Sequence, residues 1–454
     1  MELTRDSDVR ASHSKDASGL ELVPESVARP ASAEDVTDVV RDAAGSGTTI
    51  TAAGSQTSMT GASITDKGVL MSMTGMNRII DVDVDAGIAR VEPGVTIGDL
   101  NRALAETGLQ FAPDPTSEND ATIGGAIACN ASGARSLRYG PTRRHVRGLT
   151  IVYADGTIGS HTRSFLEKNT VGFAAAQDPV DWFVGSEGTL GIVVEAQLCL
   201  VPLPMNPIGL AIPFHSARSA LEFVVAAREK SSRRAACLEF FDEQALEIAG
   251  TASRQPWAPE TAGLIYLEDD AHDSGPDKML DDWLAVAESR GALTADIRVF
   301  EGPQPLREAR RIRHAVPATM NERGERYRAS GGRKVSTDWS VPYRALGRAL
   351  DAARAAAEKH GAPSPVTYGH AGNGHPHQNF IGENPEMLER IHAALEETLQ
   401  VVFRMGGTFS AEHGIGKLKK GWLHSQLSDR QLEVMRSIKR ALDPHGILAP
   451  GNVL

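Results

Sequence analysis

Apolar and polar positions fall into two textures that change near residue 205. Before it, short apolar runs alternate with long stretches of small and polar side chains; after it, strand-length apolar runs alternate with segments of helical period. "SAEDVTDVVRDAAGSG" repeats apolar residues at helical spacing behind Ser32, a capping residue type, and stops at Gly45 and Gly47, so it predicts a helix. "TTITAAG" and "GVLMSM" predict short strands, "TIGDLNRALAETG" a helix, and "LTIVYADGTI" a hairpin turning at Asp155-Gly156. "GIVVEAQLCL" is a nearly continuous apolar strand, and Pro202, Pro204 and Pro207 after it mark a domain boundary. Beyond them, strand-like "GLAIPF", "AACLEFF" and "AGLIYLE" alternate with helical "SARSALEFVVAAREK" and "DKMLDDWLAVAESRG", the pattern of an antiparallel sheet backed by helices. An arginine-rich segment, "LREARRIRHAVPATMNERGERYRASGGRKVSTDWSVP", leads into a further helix, and "DRQLEVMRSIKRALDP" is the last one. The fold class is α+β. No GxGxxG opens a helix after a strand, which argues against a dinucleotide-type Rossmann unit.

Two stretches break the pattern. "AAGSQTSMTGASI" is a Gly, Ser and Thr loop after a short strand, a composition that lets backbone N–H groups converge on an anion. "FAPDPTSENDATIGGAIACNASGARSLRYG" buries little surface of its own and suits backbone wrapped closely around a large planar ligand.

At 454 residues and 41% hydrophobic, the chain is too long for one core. The net charge of -11, with basic residues scattered, offers no footprint for nucleic acid and points to small-molecule partners. Cys129, Cys199 and Cys237 lie far apart and read as reduced thiols of a cytosolic protein. The polar amino terminus and the lack of an apolar run of about eighteen residues predict neither signal peptide nor membrane span. The expected location is cytoplasmic, with peripheral membrane contact left open.

The chemistry gathers in two segments. "YGHAGNGHPHQN" places His370, His375 and His377 among glycines, and "GGTFSAEHGIGK" sets Glu412 beside His413. Three ligands from His and Glu with an open position make a catalytic divalent-metal site, and spacing leaves open which two histidines join Glu412. On an extended segment the two neighbours would point to opposite sides, Glu412 to the metal and His413 toward a substrate.

"AAGSQTSMTGA", "PDPTSENDATIGGAIACNASGARSLRYG", "GSEGTLGIVVEA", "HAGNGHPHQN" and "SAEHGIG", in that order, resemble the FAD-linked D-2-hydroxyacid dehydrogenases of the vanillyl-alcohol-oxidase superfamily. These include D-lactate dehydrogenase, the glycolate oxidase catalytic subunit and D-2-hydroxyglutarate dehydrogenase. The resemblance implies an FAD domain of residues 1–205, of the PCMH type, a substrate domain of 206–424 carrying the metal site, and a return to the FAD domain over 425–454. It implies that Gly54, Ser55, Gln56, Thr57, Ser58 and Gly61 cradle the FAD pyrophosphate. Pro113, Thr122, Gly124, Gly125, Asn130 and Gly133 would line the flavin, with Gly188 and Ile192 completing the cleft. FAD is expected to be non-covalent, because the loop of residues 54–64 has no His, Cys or Tyr to tether it. His370, His377 and Glu412 become the ligands of one zinc or manganese ion and His413 the acid/base residue. Arg313, Lys334 and Asn379 would bind the substrate, a D-2-hydroxy acid oxidised to the 2-oxo acid. The electron acceptor is left among quinone, cytochrome and electron-transfer flavoprotein, and a homodimer is compatible. Asn373 and His375 depart from the usual Asp and Asn, so the surroundings of the metal differ; Ala449 and Asn452 flank Pro450-Gly451 in a closing motif that usually reads Asn-Pro-Gly-Lys. The alternatives are a non-redox enzyme of the alkyl-dihydroxyacetonephosphate synthase type, whose members tend to have His where Glu412 stands, and the flavin subunit of a multi-subunit glycolate oxidase.

Overall fold

The structure is a computed structural model that describes residues 3–164, 166–231, 235–253, 256–270 and 275–454. It divides into two units. The first comprises Met1–Gly133, Gly140–Leu203 and Glu412–Leu454, the second Ala134–Tyr139 and Pro204–Ala411. The return to the first unit therefore starts at Glu412 and not at residue 425. Backbone N–H groups of Lys417 and Leu418 donate to the Thr60 carbonyl, at 2.9 and 3.2 Å, and this ladder draws the segment into the first unit.

In the first unit, Ser26–Ala28, Val69–Ser72 and Ile50–Ala53 form a three-stranded parallel sheet in that order. Helix Ala33–Ser46 begins at Ser32, whose side chain accepts from Asp35 N–H, and ends at Gly47 in the left-handed region. Such a cap contributes about 1 kcal/mol. Its Val36, Val39, Val40 and Ala43 share a core with Val152, Ile192 and Val194. These last three belong to a five-stranded antiparallel sheet ordered Ile79–Asp83, Ile88–Val91, Ile192–Cys199, Val146–Val152, Ile158–Thr162. Strand Ile192–Cys199 buries alternate residues more deeply, despite its nearly continuous apolar sequence. The stretch from 111 to 140, expected as wrapped backbone, contains a helix, Ile123–Cys129, because burial of Ile123, Ala126 and Ile127 outweighs the poor helix propensity of Gly124 and Gly125.

The second unit is built on one seven-stranded antiparallel sheet ordered Arg298–Glu301, Ile208–Phe214, Gly263–Asp269, Cys237–Asp242, Val366–Gly369, His377–Gly382, Arg333–Ser336. The first part of the arginine-rich segment, expected only to lead into a helix, itself lies in one of 23 residues, Pro303–Glu325. Leu306, Ala309, Val316 and Met320 are buried along it at helical spacing. Arg310 and Arg313 reach the buried Glu268 and Glu239 from the same helix. Pro317, which cannot donate to the carbonyl of Arg313, disguised this helix in the sequence.

Candidate functional site

The imidazoles sit where strand Val366–Gly369 turns into strand His377–Gly382, a connection too tight for any residue but glycine at its corner. Gly374 has φ +70°, and a Cβ there would lie 1.9 Å from the Val341 carbonyl oxygen. The turn gathers the three rings, His377 edge-on to the other two: His370 and His377 have centroids 5.1 Å apart, His375 and His377 4.7 Å, His370 and His375 5.6 Å.

Each outer ring is oriented by protein groups. His370 Nδ1 donates to Glu239 Oε1 at 2.7 Å, which leaves Nε2 as its ligating nitrogen. His375 Nδ1 donates to the Trp339 carbonyl at 2.9 Å, and its Nε2 faces Asp338 Oδ1 at 3.6 Å. Both of its nitrogens therefore face protein groups. A buried histidine held by a carboxylate is a donor that fits a divalent ion.

Glu239 also forms an ion pair with Arg313, Nε to Oε2 at 2.9 Å. Burial alone would raise the Glu239 carboxyl, but Arg313 and His370 outweigh it and pull it down to about 2. Asn379, paired with Ser336 in the sheet, donates from Nδ2 to the Tyr368 hydroxyl at 3.0 Å and accepts from Ser336 Oγ at 2.5 Å. Lys334 lies on the edge strand Arg333–Ser336, hydrogen-bonded to Asn321, and burial lowers its ammonium. Arg313 is thus beside the histidines through Glu239, while Lys334 sits in a separate polar setting.

The first unit carries the other two parts. Among the described residues, none accepts from the backbone N–H groups of residues 55–59, and Gln56 takes a left-handed φ of 55°. Five unpaired donors on one half-buried loop fit a diphosphate. By contrast, helix Ile123–Cys129 has its first donors occupied: Ile123 N–H donates to Val95 O, Gly124 to Pro93 O and Gly125 to Thr122 Oγ1. The Gly124 and Gly125 donors are therefore already taken within the protein. Pro113 and Ile192 are buried, Gly133 is buried close against Asp114, and Asn130 ends the helix with φ 51° while its Oδ1 accepts from Arg143 N–H. Gly188 follows Glu187, and both have positive φ.

Segment 412–416 is not extended. Gly414 and Gly416 have φ +78° and +52°, and a Cβ on Gly416 would meet the Thr60 carbonyl at 2.2 Å. As a result Glu412 Oε1 and His413 Nε2 approach to 3.5 Å, and the two side chains do not point to opposite sides as expected. Glu412 Oε2 accepts from Ser132 Oγ at 3.4 Å, and the His413 carbonyl accepts from Thr60 Oγ1 at 3.4 Å. Glu187 holds the bend, its carboxylate accepting Ile415 and Gly416 N–H. Glu187 and Glu239 were missed in the sequence, where the only signal was a lone carboxylate in an otherwise small or apolar run.

Comparison with known proteins gives this architecture its relatives. Residues 24–160 match the family described as FAD binding domain, and residues 208–453 that described as FAD linked oxidases, C-terminal domain. The glycolate oxidase subunit GlcD of Bacillus subtilis is 30% identical over 95% of this chain and 89% of its own. A D-lactate dehydrogenase of Archaeoglobus fulgidus is 31% identical over 94% and 91%, and a D-2-hydroxyglutarate dehydrogenase of Xanthomonas citri 30% identical over 95% and 89%. Among solved structures, an alkyldihydroxyacetonephosphate synthase superposes with a TM-score of 0.73 over 99% of this chain and 83% of that one, at 20% identity, a likeness of fold.

Proposed function

The chain belongs to the FAD-linked oxidases, and from that premise we propose that it oxidises a D-2-hydroxy acid to the 2-oxo acid with the help of one divalent metal ion. FAD-linked oxidoreductase chemistry on a hydroxy acid is what the relatives share; the hand of the substrate, the metal and the residue roles are this proposal. The observation that carries it is the His370–Glu239 pair. A buried carboxylate on the far nitrogen of a clustered histidine suits a metal ligand and has no evident use in a flavin site alone.

His370 and His377 would hold a zinc or manganese ion with Glu412, one peptide bond beyond the second unit, as the third ligand. When bound, the ion supplies Lewis acidity for the substrate hydroxyl and FAD supplies the hydride acceptor. Arg313 engages the substrate carboxylate, a planar anion that a guanidinium can grip through two bonds. His413 accepts the hydroxyl proton, its Nε2 standing 3.5 Å from Glu412 Oε1. Asn379, fixed by Ser336 and Tyr368, orients the substrate oxygens. The loop of residues 54–61 binds the FAD diphosphate through its unpaired N–H groups.

The test is anaerobic mixing of the purified protein with D- and L-2-hydroxy acids. Bleaching of the oxidised flavin by D-isomers alone is expected, with a longer or dicarboxylic acid such as D-2-hydroxyglutarate ahead of D-lactate if Lys334 meets a distal carboxylate. Bleaching by L-isomers, or by none, overturns the proposal, and absence of bleaching by every acid favours the non-redox alternative.

A further inference from the structure

Arg313 and His370, to which the proposed function gives separate tasks, share one side chain. Glu239 places Oε1 2.7 Å from His370 Nδ1 and Oε2 2.9 Å from Arg313 Nε. Its side chain is 1% exposed, against 12% for Arg313 and 4% for His370, so water does not stand in for either partner. The carboxylate is rigidly placed. Glu239 lies on the strand Cys237–Asp242, bonded on one side to Gly263–Asp269 and on the other to Val366–Gly369, which runs directly into His370. Arg313 comes from a separate element, helix Pro303–Glu325. An ionised carboxylate buried without partners is strongly disfavoured, so its hydrogen bond to His370 and its ion pair with Arg313 are not interchangeable extras: weakening one puts more of the charge on the other.

We propose that Glu239 is a positioning residue that couples the anion-binding arginine to the metal-binding histidine. This inference rests on the metal reading above and extends it. The hydrogen bond holds His370 in the tautomer with its Nε2 lone pair available. When a substrate carboxylate draws the Arg313 guanidinium away, the Glu239 charge turns more fully to His370, and the ion is held more tightly at the moment the substrate needs it. By reciprocity, a bound ion draws Glu239 toward His370 and releases Arg313 for the anion. The pair of sites would thus fill cooperatively, with no movement of the backbone.

The experiment measures metal affinity without turnover. Flavin-loaded protein stripped by chelation is titrated with zinc, and separately with manganese, in a chelator competition, for wild type, Glu239→Gln, Arg313→Met and the double variant. Glu239→Gln is expected to weaken binding by roughly 10–100-fold, the usual effect of losing a carboxylate behind a ligating histidine. Arg313→Met should tighten it by roughly 3–10-fold, and that gain should vanish in the Glu239→Gln background, because the arginine acts through the carboxylate. A direct repulsion between arginine and ion would instead leave the gain intact in the double variant and overturn the coupling. Unchanged affinity in Glu239→Gln also overturns it. If Glu239→Gln does not fold, as judged by its thermal transition, Arg313→Met decides alone: unchanged zinc affinity sinks the proposal. Wild-type protein that binds neither ion removes the metal reading itself, a result distinct from failure of the coupling.

Discussion

Glu187 Oε2 and the backbone nitrogen of Gly416 lie 2.7 Å apart across 229 residues of sequence. The other carboxylate oxygen accepts Ile415 N–H at 2.5 Å, and the Glu187 carbonyl accepts from Asn452 Nδ2 at 3.3 Å. One buried residue thereby ties together the bend after His413 and the segment around residue 452. Glu187→Ala leaves two N–H groups without acceptors, at about 1–3 kcal/mol each. A lower thermal midpoint for flavin release, followed by the rise of free-flavin fluorescence, is the expected result; an unshifted midpoint would show that the clamp contributes nothing.

His370→Ala, His377→Ala and Glu412→Ala should each lose the metal and activity while retaining FAD, whereas His375→Ala should retain most of the metal. His375 is turned to the Trp339 carbonyl and Asp338, so its loss disturbs packing more than ligation. Elemental analysis and flavin absorbance of the four variants decide the matter. A metal-free His375→Ala with metal-loaded His370→Ala would reverse the assignment.

His413→Asn keeps a side chain of similar reach but cannot exchange the proton. Turnover should fall by roughly 10²–10⁴-fold with metal and flavin content unchanged. The limb of the rate–pH profile due to this base should disappear. A change in KM alone would move His413 from proton transfer to binding.

The second unit should lose stability in acid through Glu268. Burial would raise this carboxyl, but Arg135 and Arg310 prevail and bring it from 4.5 to about 2. A depressed carboxyl stabilises the fold above its unfolded value and loses that contribution as pH falls through the folded one. The window therefore runs from near pH 4.5 down to about 2, and the contribution is on the order of 3 kcal/mol. Urea unfolding across that range should show a shallower acid decline in Glu268→Gln than in wild type, on a lower plateau at neutral pH.

FAD should leave the protein on acid precipitation. Cys129 is the thiol within the second flavin segment, and burial, reinforced by Glu187, pushes it up to about 12, far from the thiolate that tethering chemistry needs. Yellow colour in the pellet would contradict this.

Local signals were legible in the sequence and relational ones were not. The helix behind Ser32 could be read because its cap, period and terminating glycine lie within sixteen residues. His370, His375, His377 and Glu412 stood out as candidates because few uses exist for such side chains among glycines, while spacing left open which two histidines would join Glu412. Glu239 could not, since its partners lie on a strand turn 131 residues away and on helix Pro303–Glu325. That helix was itself hidden by Pro317 and by arginines that look solvated until the carboxylates beneath them are known. The relation of Glu412 to His413 was misread because the positive φ of Gly414 and Gly416 is a tertiary demand, set by Thr60 and Glu187.

The edge strand Ile50–Ala53 has a timing problem built into it. Its outer neighbour is the segment around Leu448: Ile50 N–H donates to the Ile447 carbonyl, and Ala449 N–H to the Ile50 carbonyl, both at 2.7 Å. During translation at ~5–20 residues per second, that edge waits for about 400 residues, roughly 20–80 s, before its partner emerges from the ribosome. The nearly continuous stretch that forms the second unit is completed first and can fold in the interval. The nascent flavin half carries that open edge throughout the interval, and a chain stalled before residue 447 would present an unpaired strand edge to other chains.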